Sequence, residues 1–127
     1  MSPGKPPART AINLHAASPI LRVRDLGASL AYYETKLGFA TDWVDQHMIA
    51  SVSRGACMLM LCQGDQGYAG TWAFIGVGDA AALHQEFVKH GAIVRHPPTN
   101  YYWALEMQVS DPDGNVLRFA SARVSDT

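Results

Sequence analysis

Alternating apolar and polar residues flank the turn-forming residues 111–115, and this pattern predicts a β-hairpin. Pro112 presets one backbone angle of the turn, and Gly114 supplies the positive φ that a three-residue loop needs. Counting outward with a period of two gives an apolar face of Leu105, Met107, Val109, Leu117 and Phe119. The other face is mostly polar and holds Glu106, Gln108, Ser110, Val116, Arg118 and Ala120. Such a split is typical of a sheet with helices on one side and water or a ligand cavity on the other.

The first half of the chain contains a predicted strand, a helix and three further strands. Residues 18–24 alternate as a strand, Asp25 caps the helix, and Gly38 ends it. Apolar residues recur at helical spacing at Leu26, Leu30, Tyr33 and Leu37. The three further strands are predicted over residues 39–45, 47–53 and 56–63.

The second half of the chain repeats this order of elements. Residues 72–77 form a predicted strand, and Asp79 caps a helix that Gly91 ends. Leu83 and Phe87 lie on the side of this helix that would be buried. Strands are again predicted after the helix, over residues 92–95, 103–110 and 115–121.

The repeated order predicts an α+β fold of two βαβββ modules, at residues 18–63 and 72–121. We expect the modules to form a curved mixed sheet with a concave cup and with both helices on its outer face. Residues 1–14 are rich in proline, glycine and small polar residues, which predicts a flexible N-terminal arm. Residues 15–127 would then form a single domain, with the Gly-rich residues 64–70 joining its two modules.

Composition narrows the classes of function. The chain has 127 residues, of which 48% are hydrophobic, and a formal net charge of −1. It can therefore bury a core without disulfides, and neither nucleic acid nor a membrane surface is an expected partner. No segment approaches the roughly 20 apolar residues of a membrane span, and no secretion signal is evident, so we expect a cytoplasmic protein. Cys57 and Cys62 are five residues apart on one predicted strand, so they point to opposite faces and cannot bridge each other.

Two segments resemble the vicinal oxygen chelate superfamily, which contains glyoxalase I, extradiol dioxygenases, fosfomycin-resistance enzymes and bleomycin-resistance proteins. Residues 18–39, which begin Ser-Pro-Ile-Leu-Arg-Val-Arg-Asp-Leu-Gly, are similar to its opening module. Residues 111–119, Asp-Pro-Asp-Gly-Asn-Val-Leu-Arg-Phe, are similar to its closing hairpin. With the helix that follows Gly78, the resemblance covers residues 18–121.

Metal-using members of that superfamily place His, Glu or Gln at four inward positions, on the first, fourth, fifth and eighth strands. The resemblance puts these positions at Ser18, Met60, Trp72 and Arg118. A thioether is a soft ligand, an indole nitrogen has no free lone pair, and a guanidinium stays protonated. We therefore expect no metal at the usual site, and no other cofactor is implied.

The five histidines do not form a recognisable metal motif. His47 would face the cup together with Glu106, whereas His15 and His96 would lie in flexible or loop regions. A zinc or iron site needs three or four donors converging within about 2.0 to 2.3 Å. The chain has no His-x-His or His-x-x-x-His pair to start such a site.

The period of two also gives the residues that line the cup. In the hairpin around Arg54 and Gly55, placing Ser53 opposite Ala56 assigns Met48, Ala50, Val52, Cys57, Leu59 and Leu61 to the core. The candidate ligand-binding residues of the cup wall are then Met60, His47, Trp72, Phe74, Glu106, Gln108 and Arg118. A mostly apolar wall with a few directed polar groups is typical of a small-molecule pocket.

Two interpretations of this wall are open. The aromatic residues Trp72 and Phe74 could fill the interior, while Arg118 hydrogen-bonds Gln108 and forms an ion pair with Glu106. Alternatively, Arg118 stands where related proteins hold their metal and offers a fixed cation to an anionic or carbonyl-bearing ligand.

Residues 100–103 add three adjacent aromatic side chains to a predicted loop at the rim of the cup. In bleomycin-resistance proteins, a Trp-Gly loop followed by Arg-Glu contacts the ligand at about this place. By that resemblance Tyr102 takes the Trp position, Trp103 the Gly and Leu105 the Arg, while Glu106 is kept. Flat rings suit stacking on a planar ligand, although burial at a subunit interface explains the same residues.

The favoured hypothesis is a metal-free protein that sequesters a small planar or amphipathic molecule, in the manner of antibiotic resistance by bleomycin-resistance proteins. The resemblance also implies a homodimer. A second hypothesis is a lyase, isomerase or dioxygenase with a rearranged metal site, or with Glu106 or His47 as general base. A third is a regulatory module that acts through a protein partner. The identity of the ligand stays open.

Overall fold

The structure is a computed structural model and describes residues 4–125. Its elements are, in order, β1 (Ile20–Arg22), α1 (Leu26–Thr35), β2 (Ala40–Asp45), β3 (Ile49–Arg54), β4 (Cys57–Cys62), β5 (Trp72–Gly76), α2 (Ala80–His90), β6 (Ile93–Asn100), β7 (Leu105–Ser110) and β8 (Val116–Ser121). The predicted order of elements is confirmed. Neither helix within the described residues is long and apolar enough to cross a membrane.

Each module forms its own four-stranded mixed sheet. The strand order is β1-β4-β3-β2 in the first sheet and β5-β8-β7-β6 in the second. In both sheets the first strand of the module runs parallel to the last, and the remaining pairs are antiparallel. The predicted α+β duplication is therefore confirmed, with the strands hydrogen-bonded in two sheets.

Both helices begin at a capping aspartate, as the sequence predicts. The carboxylate of Asp25 accepts a hydrogen bond from the Ala28 amide at 3.0 Å, and that of Asp79 accepts one from the Ala82 amide at the same distance. Gly91 ends α2 at a φ of 79°, where glycine carries no steric penalty. The helices and the inner sheet faces enclose one core, with Leu21, Tyr33, Leu61, Phe87, Met107 and Leu117 among its fully buried residues.

Two adjacent tyrosines of α1 connect the first module to the second. The Tyr32 hydroxyl donates to the Ser110 carbonyl at 2.7 Å and accepts from the Ile93 amide at 2.9 Å. The Tyr33 hydroxyl donates to Asp111 at 3.0 Å. Burial raises the pKa of Asp111, while its hydrogen bonds act in the opposite direction. These contacts hold the turn of the β7–β8 hairpin against α1.

That turn has the predicted conformation. The Asp111 amide donates to the Asn115 carbonyl at 2.9 Å, and Gly114 has a φ of 80°. Across the two strands, Gln108 pairs with Arg118 and Met107 with Phe119, so the predicted register is confirmed.

The register between β3 and β4 differs from the prediction by two residues. Ser53 pairs with Met58 and not with Ala56. Because side chains alternate with a period of two, this shift leaves each face unchanged, and Val52 and Leu59 are buried as expected. The assignment of Met48 to the core is wrong, since this side chain is exposed in the turn before β3.

The two cysteines lie at the ends of β4, and both are free thiols. Cys57 pairs with Arg54, whereas Cys62 pairs with Ile49 on the other face of the sheet. The prediction that they point to opposite faces is therefore confirmed. Burial raises the pKa of the Cys57 thiol, which lowers its reactivity.

Candidate functional site

The register defines one surface on each sheet that faces away from the core, since residues paired across strands point to the same side. We call these surfaces the first and the second cup face. The second cup face has three rows: Trp72, Val116, Ser110 and Ile93; Phe74, Arg118, Gln108 and His96; and Gly76, Ala120, Glu106 and Thr99. The predicted wall residues of the second module thus share one surface.

Two aromatic side chains of β5 are exposed on the second cup face. Trp72 is 49% exposed and Phe74 is 62% exposed. A guanidinium lies against each ring, since the Arg95 guanidinium carbon is 5.0 Å from the Trp72 centroid and that of Arg118 is 5.2 Å from the Phe74 centroid. In the single chain, the interpretation of these two aromatics as interior packing residues is wrong.

Arg118 forms a bidentate ion pair with Glu106. Its Nε donates to Glu106 Oε2 at 2.8 Å, and its Nη2 donates to Oε1 at 2.9 Å. The Trp103 indole donates to the same carboxylate at 3.3 Å. Glu106 is only 4% exposed, and the hydrogen bonds from Arg118 lower the pKa of this carboxyl. The expected pairing with Glu106 is confirmed; within residues 4–125 Arg118 makes no hydrogen bond to Gln108.

The loop between β6 and β7 carries an ordered group of aromatic rings. Tyr101 and Trp103 are stacked, with centroids 4.5 Å apart and planes at 8°. Tyr102 meets Trp103 edge to face at 4.9 Å, and its own side chain is 87% exposed. The hydrogen bond from Trp103 to Glu106 places this loop beside the second cup face. Trp103 belongs to the loop and not to the predicted strand, because β7 begins at Leu105.

The first cup face is less aromatic and carries buried or half-buried polar groups. Its central row is Ile20, Met60, Ser51 and Trp43, and its neighbouring rows contain Arg22, Cys62 and Ile49, and Met58, Ser53 and Ala40. A bulge in β2 brings in Asp42, which accepts hydrogen bonds from the Ser51 hydroxyl at 3.0 Å and the Ser53 hydroxyl at 2.7 Å. Met60 therefore lies on a cup face, as predicted.

Two histidines occupy other places than those predicted. His47 is in the turn between β2 and β3, where it is exposed and has a φ of 57°, so its assignment to the cup wall is wrong. The alternation was misleading there because Gln46 and His47 both adopt positive φ in a tight turn and end the strand. His96 was predicted in a loop but lies on β6, paired with Gln108 on the second cup face.

Arg95 is a residue of the site that the sequence did not indicate. It lies at the bulge of β6, where the register shifts between Val94 and His96. The predicted strand ended at this position, and two prolines follow His96, so no sequence pattern assigned the side chain to a face. Its contact with Trp72 joins the two edge strands of the sheet, β5 and β6, and no local sequence pattern indicates such a contact.

The four positions that hold a metal in related proteins carry Ser18, Met60, Trp72 and Arg118 here. Met60 and Trp72 supply no hard donor, and the Arg118 guanidinium is already bound to a carboxylate. Within the described residues, no three His, Cys, Asp or Glu side chains lie close enough together to hold a metal ion. These residues do not fit the usual metal site.

A cavity of about 410 Å³ lies between the two modules, away from the predicted site residues. Its lining includes Phe39, Cys57, Ile75 and Phe87. A second cavity of about 300 Å³ adjoins Met58 and Phe74. Trp72 and Arg118 line neither of these two cavities. On the second cup face Trp72 and Phe74 are exposed, whereas Val116, Ala120 and Glu106 are buried.

Comparison with solved structures shows the same fold in several proteins. A bleomycin-binding protein from the bleomycin-producing Streptomyces verticillus, complexed with copper(II)-bleomycin, is 26% identical with a TM-score of 0.75, and the match covers 88% of this chain and 99% of that one. Lactoylglutathione lyase from Agrobacterium tumefaciens is 17% identical with a TM-score of 0.70, over 84% of this chain and 92% of that one. A glyoxalase/bleomycin resistance protein/dioxygenase from Nocardioides is 16% identical with a TM-score of 0.68, over 92% and 89%.

Sequence comparison with protein families agrees with the fold. No curated protein sequence matches the chain significantly. The family model of the Glyoxalase/Bleomycin resistance protein/Dioxygenase superfamily matches residues 13–119, which include all eight strands except the last two residues of β8. This chain therefore belongs to the glyoxalase/bleomycin resistance protein/dioxygenase superfamily.

Proposed function

We propose that the protein binds a small planar or amphipathic molecule against its cup faces and acts by sequestering it. The observation that carries this proposal is the pair of exposed aromatic rings on β5, Trp72 and Phe74, each with a guanidinium against it. Rings that are about half exposed on a concave surface offer both apolar area and a flat face for stacking. The bleomycin-binding protein of the same fold supports a ligand of this kind.

The available apolar area is large enough to drive binding. An aromatic side chain buries about 150 to 250 Å² when fully covered, so the exposed halves of Trp72 and Phe74 offer roughly 200 Å² together. At about 25 cal/mol per Å², covering them contributes up to roughly 5 kcal/mol. The loss of ligand freedom offsets part of this gain, and contacts with Trp103 and Tyr102 at the rim add to it.

A second chain would complete the site as a homodimer. The second cup face exposes Trp72 and Phe74 in one chain, and the first cup face offers Met58 and Met60, flexible side chains that suit irregular ligands. Placing the first cup face of one protomer over the second cup face of its partner would enclose the ligand between thioethers and aromatic rings. The family resemblance and the exposed apolar residues on both faces support this proposed arrangement.

Binding without a metal ion is part of the proposal. The charge state of Arg118 and the donor chemistry of Met60 and Trp72 support it, because none of these groups attracts a divalent cation. Catalysis is not part of the proposal. Glu106, the candidate general base, has both oxygens engaged and a lowered pKa, which makes it a weak proton acceptor. His47 lies in an exposed turn.

A thermal-shift screen with glycopeptide, heteroaromatic and quinone-like compounds tests this function. A ligand at about 100 times its Kd stabilises the folded state by roughly 2.7 kcal/mol. We expect such a hit to lose its effect in the variants Trp72→Ala and Phe74→Ala. The matched control is Val88→Ala, since Val88 is an exposed apolar residue on α2. Equal shifts in all three variants would refute binding at the second cup face, and a metal bound stoichiometrically after chelator-free purification would refute the metal-free site.

A further inference from the structure

Arg95 brings a guanidinium to the second cup face from the far edge of the sheet. Trp72 is on β5 and Arg95 on β6, which are the two edge strands. Three strand spacings separate them, or roughly 14 Å in a flat sheet. Their contact at 5.0 Å therefore spans the concave surface above β8 and β7. The guanidinium lies where a ligand in the cup would lie.

Within residues 4–125, no carboxylate forms an ion pair with Arg95. Among residues 4–125, the ion pairs join Arg24 to Asp113, Arg54 to Glu86 and Arg118 to Glu106. On the second cup face, Glu106 therefore neutralises the charge of Arg118, and the charge of Arg95 has no counter-charge among the described residues. Because Glu106 is buried beneath its partner, it cannot attract a cationic ligand.

The geometry around Arg95 offers two kinds of contact side by side. A guanidinium stacked on a ring keeps its N–H groups free in its own plane, where they can donate to a carboxylate or phosphate. Phe74 follows Trp72 by two residues on the same face, so the two side chains are about 6.6 Å apart along the strand. An exposed ring and an unmatched cation thus lie within the length of one bicyclic molecule.

From these observations we propose that the ligand is an aromatic anion, with its ring on Phe74 and its acidic group on Arg95. The inference rests on the proposed function and names the chemical class of the molecule that the cup takes. It also changes the expected anion-binding residue, because the sequence had indicated Arg118 for that role and the structure pairs Arg118 with Glu106.

The test compares two probes of the same shape, 2-naphthoate and 2-naphthamide, by isothermal titration calorimetry. We expect the unmodified protein to bind the carboxylate about tenfold more tightly than the amide, because one charge-assisted hydrogen bond contributes about this difference in affinity. In Arg95→Gln the affinity for 2-naphthoate should fall to that for 2-naphthamide, while the affinity for the amide stays the same. Lys89→Gln is the matched control, because it removes an exposed positive charge from α2.

The outcomes separate this inference from the proposed function. Equal affinity for the two probes in the unmodified protein would overturn the anion preference and leave a cup that binds planar molecules. A preference that survives in Arg95→Gln but disappears in Arg22→Gln would overturn the assignment to Arg95 and place the anion on the first cup face. If neither probe bound the unmodified protein, both the inference and the proposed aromatic cup would be refuted.

Discussion

Replacing Arg118 by alanine is expected to destabilise the protein strongly at neutral pH. The substitution removes both hydrogen bonds from the guanidinium to Glu106 and the contact with the Phe74 ring. The Glu106 carboxylate, 4% exposed in the intact pair, then keeps only the Trp103 indole as a hydrogen-bond donor among residues 4–125. A buried carboxylate without a counter-charge is unfavourable in the folded state.

The expected loss of stability in Arg118→Ala depends on how deeply Arg118 and Glu106 are buried. Removing one partner of a fully buried pair costs about 3 to 5 kcal/mol. The Arg118 side chain is 35% exposed and Glu106 keeps one hydrogen bond, so we expect about 2 to 3 kcal/mol. Glu106→Gln should cost only about 1 kcal/mol, because the guanidinium that it leaves can reach water. The double variant Arg118→Ala/Glu106→Gln should be more stable than Arg118→Ala, since it buries no unpaired charge.

Urea denaturation as a function of pH measures the difference in the free energy of unfolding between the unmodified protein and Arg118→Ala. In the unmodified protein, the pKa of Glu106 lies below its ordinary value of 4.5, so the stability from the pair is present above pH 4.5 and is lost as the pH falls through the lowered pKa. In Arg118→Ala, burial raises the pKa of Glu106, and protonation relieves the penalty. The difference in the free energy of unfolding between the two proteins should therefore be largest at neutral pH and should become smaller at acidic pH. A difference that stays constant with pH, or a double variant less stable than Arg118→Ala, would refute this reasoning.

Two further substitutions test the packing that supports the cup. Tyr33→Phe should destabilise the protein by about 1 to 2 kcal/mol in urea denaturation, because it removes the hydrogen bond to the buried Asp111; an unchanged midpoint would show that this contact does not join the modules. Gly67→Ala should lower Tm more than Gly70→Ala, since both glycines have positive φ but only at Gly67 would a Cβ lie 2.6 Å from the Ile20 carbonyl oxygen. Equal shifts in Tm would contradict the close approach of the connector to β1.

The fold could be predicted from local patterns because its signals are strong and repeated. Asp25 and Asp79 cap their helices, and each accepts a hydrogen bond from the amide three residues later. Residues 111–115 contain the proline and the glycine that one turn type requires. Errors arose where a turn lacked such residues. Positive φ at Gln46 and His47 ended β2 without a glycine or an asparagine, and the bulges of β6 extended a strand through residues that looked like a loop.

The site could be predicted only in part, because its contacts join residues far apart in the chain. Alternation correctly placed Trp72, Phe74 and Arg118 on one surface. It could not show that Arg118 donates to both oxygens of Glu106, because that choice depends on side-chain conformation and burial. The position of Arg95 over Trp72 depends on the register shift between Val94 and His96 and on side-chain conformation, neither of which a strand pattern contains.

The nitrogen-15 NMR spectrum of the protein titrated with 2-naphthoate tests the central claim most directly. The chain has three tryptophans, whose indole N–H signals are separate from the backbone amides. If the ligand binds at the second cup face, the Trp72 indole and the Phe74 amide should shift and saturate together. Shifts confined to residues that line the cavity between the modules, such as Ile75 and Val77, with the Trp72 indole unchanged, would contradict the account.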